Sequence, residues 1–247
     1  MTNGVGQEVA VWPPGTYLHR LSPAARDPLL GLGSRRRAAP GDTLLHQGVP
    51  ENHVILLHAG ITKVTVLTSG GSESLLAIRV TGDLLGEMSA LNDRPRSATV
   101  TACTATTYSV IPRAHFQTYL VKWPEAALAL AGVVADRLRW ANEFRVEFTA
   151  YPAKVRIARV LKKIALAYGR RTRAGIEIGF ELTQLELASL CGTAEVTVQK
   201  TLRDLRHAGL IITGYRSITV VDLDGLRHAA RLPPSAEGVT PHRRPER

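Results

Sequence analysis

Residues able to bind a phosphate and a ribose occur close together within residues 82–100. Arg96 can pair with a phosphate through a charge-assisted fork, and Ser97 and the backbone amides near Ser89 can donate hydrogen bonds to its oxygens. Glu87, which follows a glycine, can accept a hydrogen bond from a ribose hydroxyl. The pattern predicts a site for a cyclic phosphate, although one Glu and one Arg at this spacing can also form a surface ion pair.

A second group of residues, nearer the C-terminus, predicts a nucleic-acid reader. Thr183 and Glu186 have the spacing of a capping box, which begins a helix, and Gly192 ends that helix. After a tight turn, Thr193 can cap a second helix of about 14 residues, which Gly209 closes. A helix, a tight turn and a helix form a helix-turn-helix.

The second helix of this motif is amphipathic, with Val198, Leu202 and Leu205 on its predicted buried face. The candidate DNA-contacting positions on the two helices are Thr183, Gln184, Ala194, Glu195, Val196, Thr197, Gln199, Lys200 and Arg203. Gln199 and Lys200 can hydrogen-bond base edges, and the basic side chains can contact phosphates. Residues 210–222 then predict two strands that form a wing. A basic outer face is also typical of a helix that is merely solvated, so both interpretations stay open.

The distribution of charge favours the DNA-binding interpretation. The chain of 247 residues has a formal net charge of +10. Residues 150–230 carry 13 Lys and Arg against 7 Asp and Glu, whereas residues 1–149 carry 14 against 12. The later part of the chain is therefore the better candidate for phosphate contacts.

The elements that must position these residues follow from the pattern of apolar residues and turns. Short strands between Pro40 and Pro112 predict an all-β roll or barrel, and a helix of about seven turns runs from Pro124 to about Thr149. We expect a hinge near residue 150, because Pro152 interrupts the helical pattern. The predicted units are an irregular segment (1–21), a β-roll (22–123), the long helix (124–150), a winged helix-turn-helix domain (151–230) and a disordered tail (231–247).

The long helix carries apolar residues at Val134, Leu138, Ala141 and Phe148, and Arg145 interrupts this stripe. Such spacing is typical of a helix that pairs with a second copy of itself. The alternative is that the stripe packs on the β-roll of its own chain.

Together with residues 40–64, PGDTLLHQGVPENHVILLHAGITKV, these motifs resemble the family of the cyclic AMP receptor protein and the fumarate-nitrate regulator (Crp/Fnr). The resemblance covers about residues 22–228. It implies an α+β fold with an N-terminal cyclic-nucleotide-binding β-roll, a long dimerisation helix and a C-terminal winged helix-turn-helix. It implies a cytoplasmic, homodimeric transcription regulator that binds double-stranded DNA and RNA polymerase, with a cyclic nucleotide such as cyclic AMP as effector and no required cofactor.

The ligand-binding positions that the resemblance implies are Gly86, Glu87, Met88, Ser89, Arg96, Ser97, Ala141 and Asn142. Family members that bind the base through the long helix commonly use a Thr and then a Ser or Asn. Ala141 has no hydroxyl, and a missing partner at a desolvated base edge could cost roughly 1–3 kcal/mol. We therefore expect weak binding of cyclic AMP or a preference for another cyclic nucleotide.

The recognition helix also departs from the family pattern. Members that read a TGTGA-like half-site carry Arg and Glu at the positions that match Glu195 and Val196. Glu195 can accept from a cytosine amino group and Val196 can touch a thymine methyl, so we expect a different operator. Lys200 matches the other basic, base-reading position of the family.

Other classes of protein lack support in the sequence. There is no nucleophile elbow, P-loop or metal-ligand cluster, so we expect no enzyme. The two cysteines cannot ligate an iron–sulfur cluster, and no apolar run reaches the roughly 18 residues of a membrane span. Two classes remain: a DNA-binding regulator, with or without a ligand, and a cyclic-nucleotide-binding module that controls a protein partner.

Overall fold

The computed structural model describes residues 12–215 and 217–233. Its N-terminal part is a β-roll of two four-stranded antiparallel sheets, with strands numbered along the chain. One sheet has the order β1 (Ser34–Ala38), β8 (Thr106–Ile111), β3 (Val54–Ala59) and β6 (Leu84–Leu85). The other has the order β2 (Thr43–Leu45), β7 (Thr99–Ala102), β4 (Ile61–Leu67) and β5 (Glu73–Val80).

Short helices surround the roll: a 3-10 helix (Leu18–Arg20), α1 (Pro23–Leu30), α2 (Glu87–Asn92) and α3 (Arg113–Lys122). Ser22 caps α1, and its hydroxyl accepts from the amide of Ala25. Tyr17 and Phe116 are fully buried, and the Tyr17 hydroxyl donates to the carbonyl of Ala126. These contacts hold the N-terminal segment against the helix that follows the roll.

That helix, α4 (Pro124–Ala150), has an inner and an outer face. Ala126, Leu130 and Val133 are buried in the core of the β-roll. The outer face exposes a stripe at the spacing 3, 4, 3 and 4, formed by Leu128, Ala131, Ala135, Leu138 and Asn142. Leu128 is 75% exposed and Leu138 is 61% exposed.

Only Leu138 of the four predicted seam positions belongs to this outer stripe, and Val134, Ala141 and Phe148 lie outside it. Phe148 shows this most clearly. Its ring faces the C-terminal part of the chain, where a Cβ on Gly192 would lie 2.9 Å from Phe148 Cδ2. The reason is helical geometry, since at 3.6 residues per turn the outer stripe continues from Asn142 through Arg145 to Thr149. Phe148 is rotated by about 100° from Thr149 and therefore lies on another side of the helix.

The C-terminal part begins with α5 (Ala153–Tyr168) and contains the helix-turn-helix pair α6 (Gln184–Cys191) and α7 (Glu195–His207). A four-stranded sheet has the order β11 (Ile211–Gly214), β12 (Ser217–Val220), β10 (Gly175–Ile178) and β9 (Gly169–Thr172). Strands β11 and β12 form the predicted wing, and α8 (Leu223–Ala229) follows it. Among the described residues, no helix combines the length and apolarity that crossing a bilayer requires.

The two parts share one hydrophobic core. Leu75 and Ile78 of β5 belong to the same buried cluster as Leu187 of α6. At the edge of this contact, Lys63 Nζ lies 2.7 Å from Glu186 Oε1. The first helix of the helix-turn-helix is therefore docked on the β-roll of its own chain.

One half-buried histidine of β3 makes the stability of the roll depend on pH. Burial, and then the charge of Arg35, lowers the pKa of His58 from 6.5 to about 4, and its Nε2 lies 2.7 Å from Ser109 Oγ. Between pH 6.5 and 4 the unfolded chain binds a proton here that the folded chain excludes, so the free energy of unfolding should fall as the pH falls through that window. Urea unfolding at pH 7, 5.5 and 4.5 should show this fall, and His58→Gln should reduce it. An equal fall in both proteins would contradict the prediction.

Candidate ligand site and DNA-binding surface

Arg96 lies at the centre of the predicted ligand site and is 3% exposed. Its Nη1 donates to the carbonyl of Gly86 at 2.9 Å, and its Nη2 donates to the carbonyl of His53 at 2.7 Å. Burial lowers the pKa of the Arg96 guanidinium, whereas Glu51 and Glu87 raise it. Among the described residues, its buried Nε has no hydrogen-bond partner. One donor of a buried cation is thus left unsatisfied.

Gly86 allows this arrangement because it links β6 to α2 in a left-handed conformation, with φ of 73°. A Cβ at this position would lie 2.4 Å from Arg96 Nη1 and 3.2 Å from the carbonyl oxygen of His53. Both the backbone conformation and the approach of the guanidinium therefore favour glycine.

Replacing Gly86 by alanine should destabilise the protein by about 1–2 kcal/mol, which is the usual cost of the left-handed conformation for an L-residue. It should also move the Arg96 guanidinium and weaken anion binding. Gly41 provides a control, since it too has a positive φ but its Cβ would meet nothing within 4 Å. Gly41→Ala should lose a similar stability without weakening ligand binding. Chemical unfolding and calorimetric titration with cyclic AMP and cyclic GMP measure the two effects, and equal ligand affinities in the two variants would contradict the prediction.

Glu87, which is 5% exposed, forms an ion pair with Nη1 of Arg137 from α4. Nη2 of the same arginine donates to the carbonyl of Leu84 at 3.1 Å and lies 3.8 Å from Asp83 Oδ1. Arg137 is not among the positions that the sequence predicts. The sequence feature that could have identified Arg137 is a cationic residue on the inner face of α4, one helical turn after the buried Val133.

The remaining residues of the predicted loop differ in burial. Ser89 is 3% exposed and lies within α2, whereas Met88 is 51% exposed. The Ser97 hydroxyl is exposed and lies 4.0 Å from the sulfur of Met88. The structure therefore brings Gly86, Glu87 and Arg96 together and leaves Met88 and Ser97 at the surface.

Ala141 and Asn142 are both exposed and point away from α4 in different directions. Ala141 follows Arg137 by four residues, so it lies one turn further along the inner side that faces Glu87. Asn142 follows Leu138 by four residues and lies on the outer stripe. It lines an open groove of about 660 Å³ on α4, together with Ala135 and Leu138.

The predicted start of the helix-turn-helix is confirmed. The Thr183 hydroxyl accepts from the amide of Glu186 at 3.1 Å, and the Glu186 carboxylate accepts from the amide of Thr183 at 2.7 Å. Gly192 ends α6 in the left-handed region with φ of 57°. The prediction that Thr193 caps α7 is wrong, because its amide donates to the carbonyl of Ala188 and completes the last turn of α6. Ala194 is the N-cap of α7, without a side-chain cap.

The two faces of α7 separate as the apolar spacing predicts. Val198, Leu202 and Leu205 are buried, with exposed fractions of 7% or less. Thr197 is half-buried, and the exposed positions on the two helices are Thr183, Gln184, Ala194, Glu195, Val196, Gln199, Lys200 and Arg203. The tip of the wing adds Tyr215, which is 89% exposed and is not among the predicted positions.

Known protein families match both parts of the chain. The profile of the cyclic nucleotide-binding domain matches residues 35–122, and that of the Crp-like helix-turn-helix domain matches residues 155–229. The first match contains the Gly86–Arg96 site and the second contains α6, α7 and the wing.

Individual proteins and a solved structure agree with these profiles. The chain is 30% identical over 221 residues to the Cyclic AMP receptor protein of Thermus thermophilus, which covers 90% of this chain and 96% of that protein. It is 28% identical over 191 residues to the CRP-like cAMP-activated global transcriptional regulator of Mycobacterium tuberculosis, covering 77% and 85%. The crystal structure of a CRP-family transcriptional regulator from Thermus thermophilus superimposes with a TM-score of 0.68 at 26% identity, covering 79% of this chain and 96% of that one. The chain therefore belongs to the Crp/Fnr family of transcriptional regulators, with a cyclic nucleotide-binding β-roll joined by a long helix to a helix-turn-helix.

Proposed function

We propose that this protein is a homodimeric, sequence-specific DNA-binding regulator whose affinity for DNA is switched by a cyclic nucleotide. The observation that carries DNA binding is the outer face of α7, where Gln199, Lys200 and Arg203 are exposed opposite a buried apolar face. These side chains can reach base edges and phosphates when the helix lies in a major groove. Glu195 and Val196, at the exposed N-terminal end of α7, support a preference for cytosine and thymine at two positions of the half-site.

The outer stripe of α4 supports dimerisation. Leu128, Ala131, Ala135, Leu138 and Asn142 follow the heptad spacing at which two helices pack side by side. A polar Asn within such a seam commonly fixes the register of the partner helices. A dimer would place two recognition helices on successive half-sites, roughly 34 Å apart.

Replacing Leu138 by lysine should therefore raise the dimer dissociation constant by at least about tenfold, because a lysine in an apolar seam must be desolvated beside its copy. Leu166→Lys is the matched control, since Leu166 is exposed to a similar degree on α5, at 55% against 61%. Sedimentation velocity over a range of concentrations measures both. An unchanged constant in Leu138→Lys would exclude this face as the dimer seam.

The residues of the candidate ligand site fit a cyclic nucleotide. When bound, such a ligand presents one phosphodiester anion and a ribose hydroxyl. Within the described part of the chain, the Nε of the buried Arg96 has no hydrogen-bond partner, and the exposed Ser97, the next residue in sequence, can add its hydroxyl to the anion contacts. The Glu87 carboxylate has acceptor positions besides the one that pairs with Arg137, so it can accept from a ribose hydroxyl while it remains bound to α4. Because Arg137 belongs to α4, occupancy of the site and the position of the long helix would be linked.

Selection of DNA from a random library by the wild-type protein, followed by fluorescence anisotropy at several salt concentrations, tests this function. We expect sequence-preferred binding that weakens steeply with salt and that changes with cyclic AMP or cyclic GMP. Binding without any sequence preference, in the presence and absence of these nucleotides, would contradict it.

Two other outcomes have clear readings. Sequence-preferred binding that no cyclic nucleotide alters would identify a ligand-independent regulator with a relic pocket. Nucleotide binding without DNA binding would identify a module that controls a protein partner. Transcription assays with purified RNA polymerase would then test whether that enzyme is a partner of the DNA-bound protein.

A further inference from the structure

One buried guanidinium lies between the end of α4 and the turn of the helix-turn-helix. Arg156, on the first turn of α5, is 7% exposed. Its Nη1 donates to the carbonyls of Phe148 at 3.2 Å and Tyr151 at 2.8 Å. Its Nε donates to the carbonyl of Cys191 and its Nη2 to that of Gly192, both at 2.9 Å. Arg156 therefore bonds the end of α4 and the end of α6 at the same time.

These carbonyls lie at helix ends, where the backbone lacks partners of its own. The last carbonyls of a helix point outward unpaired, and they give its C-terminus a partial negative charge. The carbonyl of Phe148 would ordinarily accept from the amide four residues later, but residue 152 is a proline and has no amide hydrogen. Arg156 supplies the missing donors at the end of α4 and also at the end of α6. A planar guanidinium suits this role because it presents five donors in fixed directions.

Aromatic packing adds a second link at the same place. The Arg156 Cζ lies 4.8 Å from the centroid of the Phe148 ring, within the range of a cation–π contact. The same ring also approaches Gly192, where a Cβ would lie 2.9 Å from Phe148 Cδ2. The end of α4 is thus in contact with the turn that separates α6 from α7.

We infer that Arg156 is a positioning residue that fixes the orientation of the recognition helix relative to the end of α4. Because α7 begins three residues after Gly192, a tilt of this turn is passed directly to the recognition helix. Arg156 thereby fixes the segment around residue 150, which the sequence predicts as a hinge, to the end of α4 and to the end of α6. The inference rests on the proposed function, in which two recognition helices must be held at a fixed separation.

The docking of α6 on β5 offers a competing explanation of how α7 is oriented. Lys63 and the buried apolar residues of β5 also hold α6, and they do so without α4. If this docking alone were sufficient, removal of the Arg156 guanidinium would not alter the relative placement of the two recognition helices of the proposed dimer. The two explanations therefore predict different effects of an Arg156 substitution on the affinity for DNA with two half-sites relative to DNA with one.

The test compares Arg156→Met with Lys154→Met in the full-length protein. Both changes remove one positive charge from the first turn of α5, but Lys154 is exposed. Using DNA selected by the wild type, we expect Arg156→Met to lower the affinity for a two-half-site duplex at least tenfold and the affinity for a single half-site less than twofold. Arg156→Lys keeps the charge but cannot reach both helix ends, so it should show the same difference between the two duplexes. Equal losses on both duplexes, or no loss on either, would overturn the inference.

Hydrogen exchange measured on the same proteins decides the question independently of DNA. In Arg156→Met, the amides of Tyr151 and Thr193, which close the last turns of α4 and α6, should exchange at least tenfold faster, while the core of α5 changes less than twofold. Faster exchange at only one of the two ends, or throughout α5, would overturn the inference. If the wild type selects no DNA, the proposed function fails, and hydrogen exchange alone decides whether Arg156 couples the two ends.

Discussion

Replacing Lys200 by methionine should lower the affinity for selected operator DNA about 30-fold or more. Lys200 is exposed on the outer face of α7, and a lost base or phosphate contact costs roughly 1–3 kcal/mol per site. In the proposed homodimer the contact is lost twice, so the two effects combine. If Lys200 reads a base, the preference at one position of each half-site should relax. If it contacts only phosphate, affinity should fall uniformly across sequences and the salt dependence should become shallower.

Lys163→Met is the matched control for this change. Lys163 is also an exposed lysine, but it lies on α5, where its Nζ is 5.5 Å from the centroid of the Trp140 ring. The control removes the same charge and should alter operator affinity less than about threefold, because a single remote charge is largely screened at physiological salt. Equal losses in both variants would show that only net charge matters and would contradict a groove-facing role for α7.

Replacing Arg96 by alanine should lower the affinity for a cyclic nucleotide about 30-fold or more. Truncating one partner of a buried, charge-assisted pair costs roughly 2–5 kcal/mol, largely because the remaining charge loses its partner. Arg96 is almost completely buried, and its Nε has no hydrogen-bond partner among the described residues, so we propose it as the main anion donor of the site. Calorimetric titration with cyclic AMP and cyclic GMP measures the loss.

Arg94→Ala provides the comparison, since Arg94 lies two residues away in the same loop and is exposed. It should bind nucleotide as the wild type does. Arg96→Lys should recover part of the affinity. Because Arg96 also bonds the carbonyls of Gly86 and His53, thermal unfolding of all three variants must be measured beside the titrations. A fully folded Arg96→Ala protein with wild-type affinity would remove Arg96 from the ligand site.

The parts of the fold that the sequence predicts well are those whose boundaries depend on local chemistry. The start of α6 follows from the Thr183 and Glu186 capping box, and its end follows from Gly192 in the left-handed region. The wing follows from the two apolar segments within residues 210–222. In contrast, β1 carries three consecutive exposed arginines and no alternation, so its pairing with β8 is visible only in the structure.

For the candidate site, residue types were predictable and their partners were not. The spacing of Gly86, Glu87 and Arg96 predicts that they act together, since a short helix separates them. That Arg137 would pair with Glu87 depends on the packing of α4 against the roll, which joins residues 50 positions apart. The four carbonyl partners of Arg156 also come from two separate helix ends, those of α4 and α6. Contacts of this kind arise from tertiary packing and leave no local pattern.

The core shared by β5 and α6 has a consequence for how such regulators can diversify. The exposed face of α7 can exchange side chains, and so change operator, without disturbing any other element. The buried surface of α6 has no such freedom, because Leu187 packs in the same cluster as Leu75 and Ile78. A helix-turn-helix grafted from a relative would have to bring a matching β5, and paralogues should show correlated substitutions between these two elements while their recognition helices vary independently.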